Sequence, residues 1–290
     1  MDRRRFVACS MAFPIGSVSV ATGAIASEPV LDVIPPLPSE FFSSRDSEPR
    51  NVESAVEEES TGTGAATSEQ KELANSILSS APKSTSPHKV AEYFDRLSRA
   101  GKMPERGYMR AWPRDQPANP VIVEFFRQTK TVPMGDETAW CAAFMNWCIA
   151  RAQLESKNSG KVLPPTRSAA SGSFRTWGSE VSLLKNGGWS QTPRIGDIVV
   201  FAQIEQDGRP HPTHGHVAFF AGQDGAVLYA LGGNQFEGKP RAHCINTKGI
   251  RIISLQEAKS LRKKWNQEGR AGSILAVHSI RTDKSLHEIP

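Results

Sequence analysis

Cysteine is scarce in this 290-residue chain: only Cys9, Cys141, Cys148 and Cys244 occur. On one helix, seven residues span about 10.5 Å, beyond disulfide reach, which excludes a bridge between Cys141 and Cys148. A pairing of Cys148 with Cys244 stays open. No Lys/Arg block is interleaved with aromatic residues as a nucleic-acid groove requires, so no nucleic-acid partner is expected. No apolar run is clean enough for stable membrane insertion; the best, residues 6–26, is broken by Pro14, Gly16 and several Ser and Thr. Histidine is sparse too, and His88 is the only one before His211. No internal repeat is visible.

Charge is present but unevenly placed. Residues 1–26 hold three Arg against one Asp. Residues 27–87 hold four Lys/Arg against eleven Asp/Glu, and residues 88–290 carry a net +10. A basic domain of this kind attracts polyanions, an anionic cell-wall polymer among them. At the N-terminus, Arg3-Arg4-Arg5 precedes the mildly apolar stretch, which ends in Ala24-Ile25-Ala26, an A-x-A cleavage pattern. Residues 1–26 are therefore expected to be a removable export signal, and Arg-Arg-x-Phe resembles a twin-arginine signal. The expected location is periplasmic or extracellular. Removing Cys9 leaves three cysteines, an odd number, so at least one stays a free thiol or pairs with another molecule.

Residues 27–87 are rich in Ser, Glu, Pro, Thr and Ala and are expected to be a disordered acidic linker, with room for a short helix near 69–80. Structure is expected to begin near His88. In 88–101, Val90, Tyr93, Phe94 and Leu97 share a helical face before Gly101. Asn119-Pro120 opens a second helix, to about 129. A third covers about 139–153, and a short fourth falls within 168–181. Strands follow at 197–203, 216–222 and 226–233, the last two joined by a turn at Gln223-Asp224-Gly225. Later strands are expected at 241–246, 249–254 and 273–279, with a helix at 255–267 between them. Helices first and an antiparallel sheet after make an α+β fold. The folded domain is expected over 88–280, with 281–290 a C-terminal tail.

Cys148 continues the apolar stripe of the third helix with Trp140, Ala143, Phe144 and Trp147, and reads as core. Cys141 is different. It falls in the helix's first turn, where unpaired N–H groups and the helix dipole favour an anion and lower a thiol's pKa. A nucleophilic thiol needs a base, and 210-PHPTHGHVAFFAG-222 supplies His214 and His216, with His211 assigned to a surface loop. A third polar group should orient the imidazole. Asn234 and Gln235, at the end of the next strand, are both in reach, and strand register decides between them.

The ordered set ETAWCAAFMNW, SFRTWG, PRIGDIVVF, GHVAFFAG and LGGNQ resembles the CHAP-type family of cysteine, histidine-dependent amidohydrolases/peptidases, related to NlpC-type cell-wall hydrolases, across about residues 88–255. The resemblance implies a papain-like core, with N-terminal helices packed on a small antiparallel sheet. It implies Cys141 as nucleophile, His216 as base and Asn234 as orienting group, acting without a cofactor or metal on amide bonds of peptidoglycan. Glu137, Trp140 and His214 are the candidate substrate-binding residues. Two alternatives stand beside this reading. His214-Gly-His216 resembles the H-x-H of lysostaphin-type zinc endopeptidases, though no upstream His–Asp motif accompanies it. A catalytically inert wall-binding module would also suit the basic domain. The oligomeric state is not readable.

Overall fold

The computed structural model describes residues 65–154, 163–184, 188–237 and 242–287. The export signal expected at 1–26, and the linker as far as residue 64, lie outside the described residues. The first described element is helix α1 (Ser68–Ser80), opened by a capping box in which Thr67 and Gln70 exchange hydrogen bonds. Ala74, Ile77 and Leu78 are buried on one side of it. The Tyr93 hydroxyl donates to the Ile77 carbonyl at 2.9 Å, and Arg151 donates to the carbonyls of Ser79 and Ala81. Structure thus begins before His88, with a helix where the sequence left room for one near 69–80. Three apolar residues at helical spacing suffice to dock α1, although its other face is polar.

Helix α2 (Pro87–Ala100) follows, with Ser86 as its N-cap. The short α3 (Pro120–Phe125) starts where Asn119 caps and Pro120 presets the backbone, then tightens into a 3₁₀ turn over Phe126–Gln128. Helix α4 (Cys141–Gln153) is buried on nearly every side. A 3₁₀ turn, Ser171–Thr176, takes the place of the expected fourth helix. Strands β1 (Ser179–Val181), β2 (Ile198–Ile204), β3 (Pro210–Asp224), β4 (Val227–Glu237), β5 (Ala242–Arg251) and β6 (Ile274–Thr282), with helix α5 (Leu255–Gln267) before β6, complete the set. They form one six-stranded sheet in the order β1-β6-β2-β3-β4-β5, antiparallel throughout.

Alternation along the strands sorts the core. Ile198, Val200, Val217, Phe219, Leu231 and Ile245 pack with the helices α1 to α4. Val199, Phe201, Ala218, Phe220, Leu228 and Ala230 form a second cluster. Trp265 and Ala258 of α5 cover Ile204, Ile274 and Ala276. The α+β arrangement matches the sequence reading. Three details differ. The expected strands 241–246 and 249–254 are one strand. The β3–β4 turn is Gly225-Ala226, so Gln223 and Asp224, expected in the turn, pair with Leu228 and Val227. Residues 281–287 do not form a loose tail: β6 runs to Thr282, Leu286 is buried, and the His287 ring lies 2.8 Å from the buried Asp197 carboxylate.

Candidate active site

Helix α4 begins at Cys141, and the loop before it is fixed by buried polar contacts. The Asp136 carboxylate accepts the backbone N–H groups of Trp112 (2.8 Å) and Asn119 (2.9 Å). The Asn119 side chain in turn donates to the carbonyls of Tyr108 and Arg110. Within α4, Asn146 donates to the carbonyls of Ala142 and Ser168, tying the first turn to the chain that follows the helix. The Cys141 thiol lies against β3, where the backbone N–H of Val217 favours its thiolate form, as do the N–H groups of Ala142 and of Cys141 itself. Val217 is the residue after His216. The topology therefore brings the thiol and the histidine's strand position together from 75 residues apart.

The protonation state differs from the sequence expectation. Burial pushes the Cys141 thiol up to about 11, and the three N–H groups offset only part of that. The helix N-terminus acts in the expected direction but is outweighed, because Cys141 is 3% exposed and a thiolate there has little solvent. His216 is displaced the other way. Burial, then the charge of Lys248, holds it down at about 4, against a hydrogen-bonding interaction with the Gln235 side chain that raises it. Both partners are thus neutral at physiological pH. Nε2 of His216 is buried and makes no protein hydrogen bond of good geometry, and none joins the ring to the Cys141 thiol.

Strand β3 extends back to Pro210, so His216 sits inside a strand, not at its end, opposite Phe201 of β2. Gly215 precedes it for a steric reason. A β-carbon at that position would lie 2.0 Å from the Phe201 carbonyl oxygen. The first residues of β3 are clamped by Arg175 of the 3₁₀ turn. Arg175 donates to the backbone carbonyls of His211 (2.7 Å), Pro212 (2.8 Å) and His214 (3.3 Å). Gly172 lies under the same segment, so close that a β-carbon would meet the Pro212 carbonyl oxygen at 2.6 Å. The SFRTWG segment therefore holds the start of the histidine strand, a role that its sequence alone did not reveal.

Strand β4 carries a bulge between Gly232 and Gln235 relative to β5. Asn234 sits at this bulge in the left-handed region, φ 61°. Its backbone carbonyl accepts a hydrogen bond from the His243 ring. Gln235 is the residue turned towards His216. Its Nε2 donates to the carbonyls of Asn246 (2.7 Å), Ala230 and Gly232 (both 3.2 Å), which leaves Oε1 as the acceptor. Of the two residues left open by register, Gln235 is the one whose side chain acts on the imidazole, raising its pKa.

The candidate substrate residues divide. Trp140 has no exposed surface. Its ring packs on Phe125 and fills the space beside Gly233, where a β-carbon would lie 2.3 Å from the indole, so it is core and has no surface to offer a substrate. Glu137 is half-buried and pairs with Arg114 at 2.6 Å. His214 is half-buried, with its ring 3.9 Å from that of His211, and burial brings its pKa to about 4. Cys148 and Cys244 are separate, buried, free thiols. Among the described residues no group of three or more His, Cys, Asp or Glu is placed to hold a metal ion, and no helix is long and apolar enough to cross a membrane.

Residues 133–234 match the family model described as the CHAP domain. The matched segment contains Cys141, Arg175, His216 and Asn234, and stops one residue short of Gln235. CHAP domains are generally hydrolases acting on peptidoglycan, and that is the class of activity the match carries. Neither a curated protein nor a solved structure matches the chain.

Proposed function

We propose that this protein is an exported cysteine hydrolase that cleaves an amide bond of peptidoglycan, in the stem, the cross-bridge or the sugar–peptide link. The observation that carries the reading is the juxtaposition of a first-turn thiol with the strand position beside a buried, neutral histidine, inside the CHAP-matched segment. In this reading Cys141 attacks the amide carbonyl. His216 takes the thiol proton and passes it to the leaving amine, and water then hydrolyses the thioester. With the thiol at about 11 and the imidazole at about 4, a standing ion pair is disfavoured, so proton transfer accompanies attack. The backbone N–H groups around the sulfur are available to stabilise charge that develops there. Gln235, held by three carbonyls, orients the ring, taking the role the resemblance gave to Asn234. The N-terminal signal would carry the domain to the wall.

The test is wall turbidity clearing by the mature protein. Cys141→Ser is expected to lose at least about 1000-fold in rate with an unchanged melting profile, by analogy with removal of other nucleophiles. Cys148→Ser should remain active, and alkylation, not EDTA, should inactivate. Abolition by EDTA with rescue by zinc would replace this mechanism with a metal-dependent one.

A further inference from the structure

Arg262 of α5 is 2% exposed, yet its donors are only partly used. Nη2 donates to the carbonyls of Ile204 and Gly272, each at 3.0 Å, while Nε and Nη1 have no partner. A buried guanidinium normally has its N–H groups met by acceptors, because a desolvated, unpaired donor is costly. One face is covered by the Trp265 ring, 5.6 Å from the guanidinium carbon, which contributes attraction but no acceptor lone pair.

Two cavities border this side chain, of about 510 and about 600 Å³, and both also border Gln206 and Asp207. Lys259 and Lys263 line the first of them and are exposed. The Asp207 carboxylate is paired, accepting from the Arg209 backbone N–H and side chain, and a second carboxylate, Glu205, lines only the second cavity. The site therefore offers three cations and unfilled donors. Phe201 faces His216 across β2 and β3, and Ile204, whose carbonyl Arg262 holds, is three residues on, about 10 Å at strand spacing.

We propose that the pocket at Arg262 is an anion-binding subsite that receives an oxyanion, carboxylate or phosphate, of the wall polymer. The assignment to the wall polymer rests on the hydrolase reading, whereas anion binding itself does not. An oxyanion entering from the first cavity meets Lys259 and Lys263 first, and a small shift of the Arg262 side chain then presents its unused donors in charge-assisted hydrogen bonds.

The experiment is calorimetric titration of the mature Cys141→Ser protein, in chloride buffer, with inorganic phosphate and with N-acetylalanine. Saturable binding of at least one probe is expected. It should weaken about three- to tenfold in Lys259→Met/Lys263→Met, whose surface changes leave the Arg262 carbonyl bonds intact. Arg262→Gln should weaken it at least about tenfold, with the lysine variant deciding should the glutamine variant fail to fold. Binding of phosphate alone assigns the site to a phosphodiester, of N-acetylalanine alone to a peptide carboxylate, and of both to their shared chemistry. No saturable binding of either probe, or binding unchanged in the lysine variant, overturns the proposal. Because the readout is binding by an inactive protein, its failure leaves the hydrolase reading standing, and failure of hydrolysis leaves this result intact.

Discussion

His216 illustrates how burial, more than any neighbouring charge, sets the chemistry of the proposed site. Its folded pKa of about 4 lies below the ordinary value of 6.5, so between these two pH values the unfolded chain binds a proton that the folded protein refuses. Stability therefore rises with pH across that window, is fully present above about 6.5, and is lost as pH falls towards 4. The size is on the order of 3 kcal/mol. A melting series from pH 7 to 4.5 should show a falling transition, and His216→Gln should flatten part of that slope; an equal slope in both proteins would contradict the burial argument. The orienting role makes a second residue-scale prediction. Gln235→Ala should lower the rate of wall hydrolysis roughly tenfold or more, because the ring loses the group that fixes it. Asn234→Gly should stay close to wild type, since the left-handed backbone at φ 61° suits glycine. A larger loss from Asn234→Gly than from Gln235→Ala would return the role to Asn234.

At the scale of elements, α1 is the part whose importance the sequence understated. Its buried Ile77 and Leu78 each contribute about 1.5–3 kcal/mol, and Ala74 adds a smaller amount. Tyr93 and Arg151 lose their acceptors when it is removed. A chain starting at His88 should melt roughly 10 °C below one starting at residue 66. Equal melting temperatures would show that α1 adds nothing to the domain. Elements with a strong local signal were legible: the Asn119-Pro120 helix start, the α4 stripe and the 255–267 helix all stand where periodicity and caps put them. The α1 face was hidden by an acidic, Ser-rich context. The exact turn of the β3–β4 hairpin was missed by one residue, because Asp224-Gly225 and Gly225-Ala226 are both acceptable turn pairs in sequence.

For the molecule as a whole, what sequence reveals of the candidate site follows the range of the interactions that build it. Cys141 at a helix start and His216 in an apolar strand carry local signals, and the sheet order brings their elements together. Gln235 depends on a bulge between β4 and β5, and Arg175 depends on carbonyls 36 to 39 residues away. Neither arrangement leaves a mark that spacing alone can reveal. The thiol pKa was misjudged for the same reason, since helix position is local whereas burial under β3 is not. The central claim concerns one bond and one sulfur, and a single measurement addresses both. Purified peptidoglycan is digested by the mature protein in ¹⁸O-labelled water, and the fragments are mapped by mass spectrometry. The account predicts new carboxyl ends at one type of amide, each carrying one heavy oxygen, and none with Cys141→Ala. Fragments cut at a glycosidic bond, or amide cleavage undiminished in Cys141→Ala, would contradict it.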